Sequence, residues 1–235
     1  MEKWGIIGAM ESEVLQLIAA MTDVTTADYA GKTYVEGTLG VRRVVVVQCG
    51  IGKVAAAISA QVLCDRYGVT ALINTGVAGG LHPALAVGDI VLGTTAVQHD
   101  FDVSALGYVR GYMCTGGDGQ KPTLYTADAA LAARFRAAAA SHLGDRKVIE
   151  GPIATGDLFV DSSEVKQALI RDFGAAAAEM EGGAIAQVAT ANGVPFLIIR
   201  AISDLAEHQA NVSYEAFEKE AANRSAAILL AMTEC

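Results

Sequence analysis

Short apolar runs alternate with segments of helical periodicity along the whole of this chain, and that alternation constrains its fold more than any other feature. Residues 4–9 read as a short buried strand, and residues 13–21 follow with Val14, Leu15, Leu17, Ile18 and Met21 on one helical face. Residues 34–39, a turn at Gly40 and residues 43–48 read as a hairpin, with Val44 to Val47 apolar towards both faces. The pattern then predicts a helix over 53–67, strands over 71–74 and 89–95, an alanine-rich helix over 129–142 and a strand over 147–154. Asp161-Ser-Ser-Glu164 has the form of a capping box for a helix that stops near Gly174. A helix over 182–192, a strand over 195–203 and a terminal helix over 213–232, with Ser213 as its cap, complete the reading. Residues 99–127 show no period and read as one long loop, a length that in compact domains is often functional. Strands and helices in alternation imply an α/β fold, a layered α/β/α arrangement with a central mixed β-sheet flanked by helices. No linker, low-complexity tract or internal repeat interrupts the pattern, so residues 1–235 read as a single domain.

Composition narrows the function. Forty-three alanines and 25 glycines let the elements pack closely. A net charge of −9 provides no field for a phosphate backbone, which argues against nucleic-acid binding. With 52% apolar residues the chain is no disordered segment. The charge-free run over 67–88 is broken by five glycines, Asn74 and Pro83, so it reads as strand and loop rather than a membrane span. No cationic leader precedes an apolar segment at the start, and a cytoplasmic protein is expected. Cys49, Cys64, Cys114 and Cys235 are far apart without a C-x-x-C pair, which fits reduced thiols and neither disulfides nor zinc. His99-Asp-Phe-Asp102 has metal-like residues but no partner cluster, so neither metal nor cofactor is expected.

Three glycine-bearing turns follow predicted strands: Gly8-Ala-Met-Glu-Ser-Glu13, Gly50-Ile-Gly-Lys53 and Gly76-Val-Ala-Gly-Gly80. Each falls at a strand's carboxyl end, the ligand edge of an α/β sheet. None is a P-loop, since Val54 follows Lys53, and no G-x-G-x-x-G opens a helix, which disfavours a dinucleotide-dependent oxidoreductase. Glu11 and Glu13 stand where a phosphate-binding protein would carry arginine or bare amides; a carboxylate there can take a proton from water, or more plainly favour a helix N-terminus. Glu179-Met-Glu181 follows four alanines, and Arg200 sits inside the apolar run Phe196-Leu-Ile-Ile-Arg200, where a buried guanidinium needs a carboxylate partner. Asp204 falls at that strand's end, as an acid or an N-cap. Glu13, Glu181 and Asp204 thus bring three carboxylates to three strand ends, a set suited to glycosidic bond cleavage, where different environments separate acid from base. There is no G-x-S-x-G and no reactive-cysteine context for acyl chemistry.

Taken in order, these residues resemble a known family. Gly5-Ile-Ile-Gly-Ala-Met-Glu-Ser-Glu13, Cys49-Gly-Ile-Gly-Lys-Val-Ala-Ala56, Asn74-Thr-Gly-Val-Ala-Gly-Gly80, Val87-Gly-Asp-Ile90, His99-Asp-Phe-Asp-Val103, Thr155-Gly-Asp-Leu-Phe159, Glu179-Met-Glu181 and Arg200-Ala-Ile-Ser-Asp204 together resemble the bacterial 5′-methylthioadenosine/S-adenosylhomocysteine nucleosidases of the purine nucleoside phosphorylase-like superfamily. The resemblance covers nearly the whole chain and implies hydrolysis of an N-glycosidic bond, releasing adenine and a 5-thio-substituted ribose. It makes Glu13 the base on water and Asp204, helped by Ser203, the acid at purine N7. Glu181 becomes the ribose-binding carboxylate, with Met180 against the sugar and Arg200 nearby. Phe159 corresponds to the ring stacked on adenine, Val160 to the backbone that reads the base edge, and Gly79 to a ligand-contacting glycine. It also implies a homodimer whose partner subunit closes the 5′ pocket, and no metal or organic cofactor. This chain departs from the pattern in places. Val77 replaces the family's serine, and the phenylalanine and proline of the 5′ pocket correspond to Leu106 and to a residue other than proline near Met113. Tyr108 and Tyr214 remain as pocket aromatics. A nucleoside phosphorylase of the same superfamily and a non-catalytic nucleoside-binding protein are the alternative readings.

Overall fold

The computed structural model describes residues 2–207 and 210–234, so the Cys235 thiol lies outside the described residues. Both faces of its central strands are apolar, and helices cover both. Strands β1 (Lys3–Gly8) and β4 (Arg42–Gln48) lie side by side in parallel. On one face, their Trp4, Ile6, Val44 and Val46 join a core with helix α1 (Glu11–Ala19), α3 (Ala129–Ala139) and α6 (Ala210–Thr233), through Leu17, Phe135 and Leu229. On the other face Ile7, Val45 and Val47 pack with Ala56 and Leu63 of α2 (Lys53–Tyr67) and with Ile185 and Ala189 of α5 (Gly182–Ala191). Period-two alternation that is apolar on both sides is what a sheet enclosed between two helical layers requires. A smaller core forms under α4 (Ser163–Phe173) around Leu169 and Phe173.

The remaining strands are β2 (Thr22–Tyr29), β3 (Lys32–Leu39), β5 (Ala71–Gly80), β6 (Ile90–Gln98), β7 (Tyr125–Thr126), β8 (Val148–Thr155), β9 (Ala177–Glu179) and β10 (Phe196–Asp204). The sheet is mixed and closes partly on itself: β5 pairs with β10, β10 with β6, β6 with β8, β8 with β9, and β9 returns to β5. From β5 the sheet continues through β1, β4 and β3 to an edge at β2. Strands β4, β1, β5 and β10 are parallel neighbours, so their carboxyl ends share one edge.

Several boundaries differ from the sequence reading, each for a physical reason. Strand β2, Thr-Asp-Val-Thr-Thr-Ala-Asp-Tyr, is exposed along almost its whole length; backbone pairing with β3 and edge-on contacts of Tyr29 with Tyr34 and Tyr67 hold it, and they leave no apolar alternation to read. Helix α4 is capped by Ser162, which accepts the Val165 N–H, so the cap sits one residue later than a box begun at Asp161. Ser213 lies inside α6 rather than at its cap. The third glycine segment is not a turn at all. Gly76 to Gly80 continue β5, and a Cβ on Gly76 would meet the Glu13 carboxylate and Arg200, while one on Gly79 would lie 3.1 Å from Asp204 Oδ1. Those glycines let charged side chains approach the strand itself.

Candidate active site

A cavity of about 340 Å³ opens at the shared carboxyl edge of β1, β5 and β10, beside the antiparallel β9. Its lining includes every site residue expected from the sequence: Glu13, Gly79, Phe159, Val160, Met180, Glu181, Arg200, Ser203 and Asp204.

Glu13 enters from the first turn of α1 and is buried. Its Oε2 accepts the N–H groups of Ala9 at 2.6 Å and Met10 at 3.0 Å, and its Oε1 accepts the Val77 N–H at 2.9 Å. The bond to Met10 is a helix-capping contact, so the plain structural role and the site position coexist in one side chain. Burial pushes the carboxyl above its ordinary range, against the pull of Arg200 and the three amides.

Arg200 is enclosed in β10 and organises the acidic pair. Its Nη2 donates to Glu179 Oε2, to Asn74 Oδ1 and, at 3.3 Å, to Glu181 Oε2, and its Nη1 donates to the Val77 carbonyl at 3.2 Å. Glu179 is further occupied: it accepts from Thr155 Oγ1, from the Glu181 N–H at 3.0 Å and from the Gly182 N–H at 2.7 Å at the start of α5. Glu181 is less encumbered, since its Oε1 accepts the Gly52 N–H at 2.9 Å and its Oε2 shares Arg200. Burial raises the Glu181 carboxyl to about 7; Arg200 opposes this and the Glu179 charge adds to it. Both glutamates line the cavity, but they divide: Glu179 anchors the arginine and the helix, and Glu181 keeps accepting capacity to spare.

Asp204 ends β10 beyond a bulge. Ile202 pairs with Ala78 and Asp204 with Gly79, so the consecutive residues Ser203 and Asp204 both line the cavity. Asp204 Oδ2 accepts from Ser203 Oγ at 2.9 Å and Oδ1 from the Ala206 N–H at 2.8 Å. Burial pushes this carboxyl upward as well, while those two hydrogen bonds and the Lys166 charge pull it back. Burial is also the main force pushing the neighbouring Cys49 thiol up to about 12, with Glu181 and Glu13 adding to it, so Cys49 carries no thiolate at neutral pH.

Phe159 stands at the mouth, edge-on to Tyr214 with ring centroids 5.7 Å apart, and the Tyr214 hydroxyl donates to Met10 Sδ at 2.9 Å. Met10, Ile51 and Leu158 also line the cavity; they lie within the turn and motif segments read from the sequence, which singles out none of the three by its chemistry. Asn74, the one polar side chain ending the apolar run from Ala71, was the available signal for Arg200's neutral partner. Leu106, Tyr108 and Met113 are absent from the lining; Leu106 is 72% exposed and Tyr108 packs on Tyr112. The His99 motif is spent on structure: Asp100 pairs with Lys53 at 2.6 Å, and Asp102 accepts the Ser104 N–H at 2.8 Å. Among the described residues no group of three or more His, Cys, Asp or Glu side chains is placed to hold a metal ion, and no helix is long and apolar enough to cross a membrane.

A partly closed mixed sheet with a carboxylate-lined cavity at its carboxyl edge sets the class, and the family model described as the phosphorylase superfamily matches residues 3–234. A 5′-methylthioadenosine/S-adenosylhomocysteine nucleosidase of Shewanella baltica (strain OS155) is 44% identical over 233 residues, covering 99% of this chain and 96% of the relative. The solved nucleosidase of the same description from Neisseria meningitidis, in complex with methylthio-immucillin-A, superposes with a TM-score of 0.93 at 36% identity, covering 100% of this chain and 99% of the other. That from Colwellia psychrerythraea 34H, in complex with adenine, has a TM-score of 0.92 at 38% identity and covers 99% and 94%. The chain belongs to the 5′-methylthioadenosine/S-adenosylhomocysteine nucleosidase family of the phosphorylase superfamily.

Proposed function

We propose that this protein hydrolyses the N-glycosidic bond of 5′-thio-substituted adenosines, methylthioadenosine and S-adenosylhomocysteine, to release adenine and the 5-substituted ribose. The observation that carries this is the convergence of three buried carboxylates, Glu13, Glu181 and Asp204, on one cavity with Phe159 at its mouth. In this reading adenine stacks on Phe159, with the backbone of Val160 along the base edge and Gly79 beside the ligand. Glu181 accepts the ribose hydroxyls, Met180 packs against the sugar, and Arg200 holds Glu181 in place. Asp204, protonated and oriented by Ser203, donates its proton to purine N7 as the bond between the sugar C1′ and the base nitrogen breaks. Glu13 takes a proton from water while the water oxygen bonds to C1′, where positive charge has developed. Raised carboxyls suit both roles, a stronger base at Glu13 and at Asp204 an acid that holds its proton to higher pH than an ordinary aspartate.

Hydrolysis is favoured over phosphorolysis because the Glu13 carboxylate already occupies three backbone amides that would otherwise receive an oxyanion, and it repels phosphate. The enzyme works in this reading as one domain in the cytoplasm, without cofactor, and as a homodimer. The dimer accounts for the exposed Ile51, Leu158 and Phe159 at the mouth and for the exposed Leu106, since a second copy laid there closes the 5′ pocket; analytical ultracentrifugation reads that stoichiometry. The test of the activity is incubation with methylthioadenosine, S-adenosylhomocysteine, 5′-deoxyadenosine or aminodeoxyfutalosine, with and without phosphate, while free adenine is followed. Adenine release independent of phosphate is expected; release that requires phosphate overturns the hydrolase reading in favour of a phosphorylase, and no release from any of the four favours a binding protein.

A further inference from the structure

The turn after Asp204 is held from outside the cavity by a lysine that bond cleavage does not use. Lys166 projects from α4, is buried, and donates from Nζ to the Leu205 carbonyl at 2.8 Å and to Glu207 Oε1 at 2.7 Å. A buried ammonium is tolerated only where acceptors replace its water shell. Both acceptors here belong to the three residues that follow Asp204. Between them sits Ala206, whose N–H donates to Asp204 Oδ1 at 2.8 Å and whose φ is 53°. An alanine in the left-handed region is strained and persists only where its surroundings hold it. Lys166 grips the residue on either side of that strained position.

We propose, resting on the reading of Asp204 as the acid, that Lys166 is a positioning residue for it: the ammonium clamps the 205–207 turn, aims the Ala206 N–H at Asp204 Oδ1, and sets a positive charge against the carboxylate from α4. The charged and titratable groups facing Asp204 come from several elements. Lys166 approaches from α4 and Tyr214 from α6, while Glu13, Glu179, Glu181 and Arg200 line the same cavity. Among them Lys166 is the cation that draws the Asp204 proton off, and its own partner Glu207 partly neutralises it.

The two charges make opposite predictions, which a purely structural role would not. Asp204 acts protonated, so kcat/KM falls as pH rises through its ionisation. In Lys166→Met the alkaline limb of the kcat/KM profile moves to higher pH and kcat drops about tenfold with KM nearly unchanged, because a misaimed acid is lost from the transition state more than from binding. Lys166→Arg, which keeps the charge, returns the limb towards its original place. Glu207→Gln removes a solvent-exposed anion, leaves Lys166 unopposed, and moves the limb to lower pH; this variant keeps the question open to refutation even if Lys166→Met does not fold. Adenine release from methylthioadenosine across pH 5 to 10, with Asp204→Asn alongside, decides the matter. If Asp204→Asn is inactive and the alkaline limbs of the Lys166 and Glu207 variants superimpose on that of the unaltered enzyme, the clamp is refuted and the acid stands. If Asp204→Asn turns over normally, the acid assignment falls and the clamp with it.

Discussion

Replacing Glu181 with glutamine should stabilise the protein and cripple it, and the stability gain should depend on pH. The Glu181 carboxyl is buried, accepts the Gly52 N–H, and shares Arg200 with Glu179. Burial, opposed by Arg200 and reinforced by Glu179, raises it from 4.5 to about 7. The folded protein therefore holds a proton that the unfolded chain has released, and this contribution to stability is complete below pH 4.5 and lost as pH rises through about 7. At pH 8 the loss amounts to about 3 kcal/mol. Glutamine is neutral at every pH and escapes that cost, which is already net of the Arg200 attraction, so a gain of about 3 kcal/mol is expected at pH 8, or roughly 6–12 °C in Tm. At pH 5 the glutamate is protonated and glutamine resembles it, so the two melting curves should nearly coincide. Calorimetric unfolding at the two pH values reads the difference directly. In parallel kcat/KM should fall about 10- to 100-fold, the worth of a hydrogen bond from a ribose hydroxyl to a charged acceptor. A variant less stable than the unaltered protein at pH 8, or a Tm difference that is the same at pH 5, would refute the assignment of a costly buried charge to this position.

Other perturbations test the rest of the site. Glu13→Gln and Asp204→Asn should each lower kcat by about 10²–10⁴-fold while circular dichroism stays unchanged; near-normal turnover in either removes that residue from the chemistry. Arg200→Met leaves Glu179 and Glu181 without a cation, and a loss of about 3–5 kcal/mol in urea unfolding at pH 8 is expected, shrinking at pH 5, where Glu181 holds its proton; a constant loss across pH contradicts the pairing. Gly76→Ala pushes a methyl into the Glu13 carboxylate, so kcat should suffer far more than Tm; a crystal structure of the variant with Glu13 in place and full activity would show that the strand has room.

Much of the fold was legible because it rests on local rules. Buried strands such as Val44 to Val47 are apolar on both sides, and helices such as α4 show their faces and stop at a left-handed Gly174. The edge strand β2 was not, because its pairing with β3 satisfies the backbone without burying side chains, and burial is what a sequence pattern records. The site divides in the same way. Glu13, Glu181, Arg200 and Asp204 stood out as charges inside apolar surroundings, an expensive placement that needs a reason. Met10, Ile51 and Leu158 did not, since an apolar side chain lining a cavity looks like one lining a core.

The amino-acid sequence by itself determined the layered α/β class and the ionisable residues, which lie at a strand end in Asp204 and just beyond one in Glu13 and Glu181. Tertiary structure alone decided which carboxylate does what. Glu179 and Glu181 are two residues apart, chemically identical and both on the cavity lining, yet one is consumed by Thr155, two amides and Arg200 while the other keeps accepting capacity to spare. The same holds for Gly76 to Gly80, which read as a turn and are strand, because their freedom from side chains serves charges contributed by α1 and β10, more than 60 and 120 residues away. Burial and hydrogen bonding across such separations set the ionisation of a carboxyl, and neither is written in the neighbourhood of the residue itself.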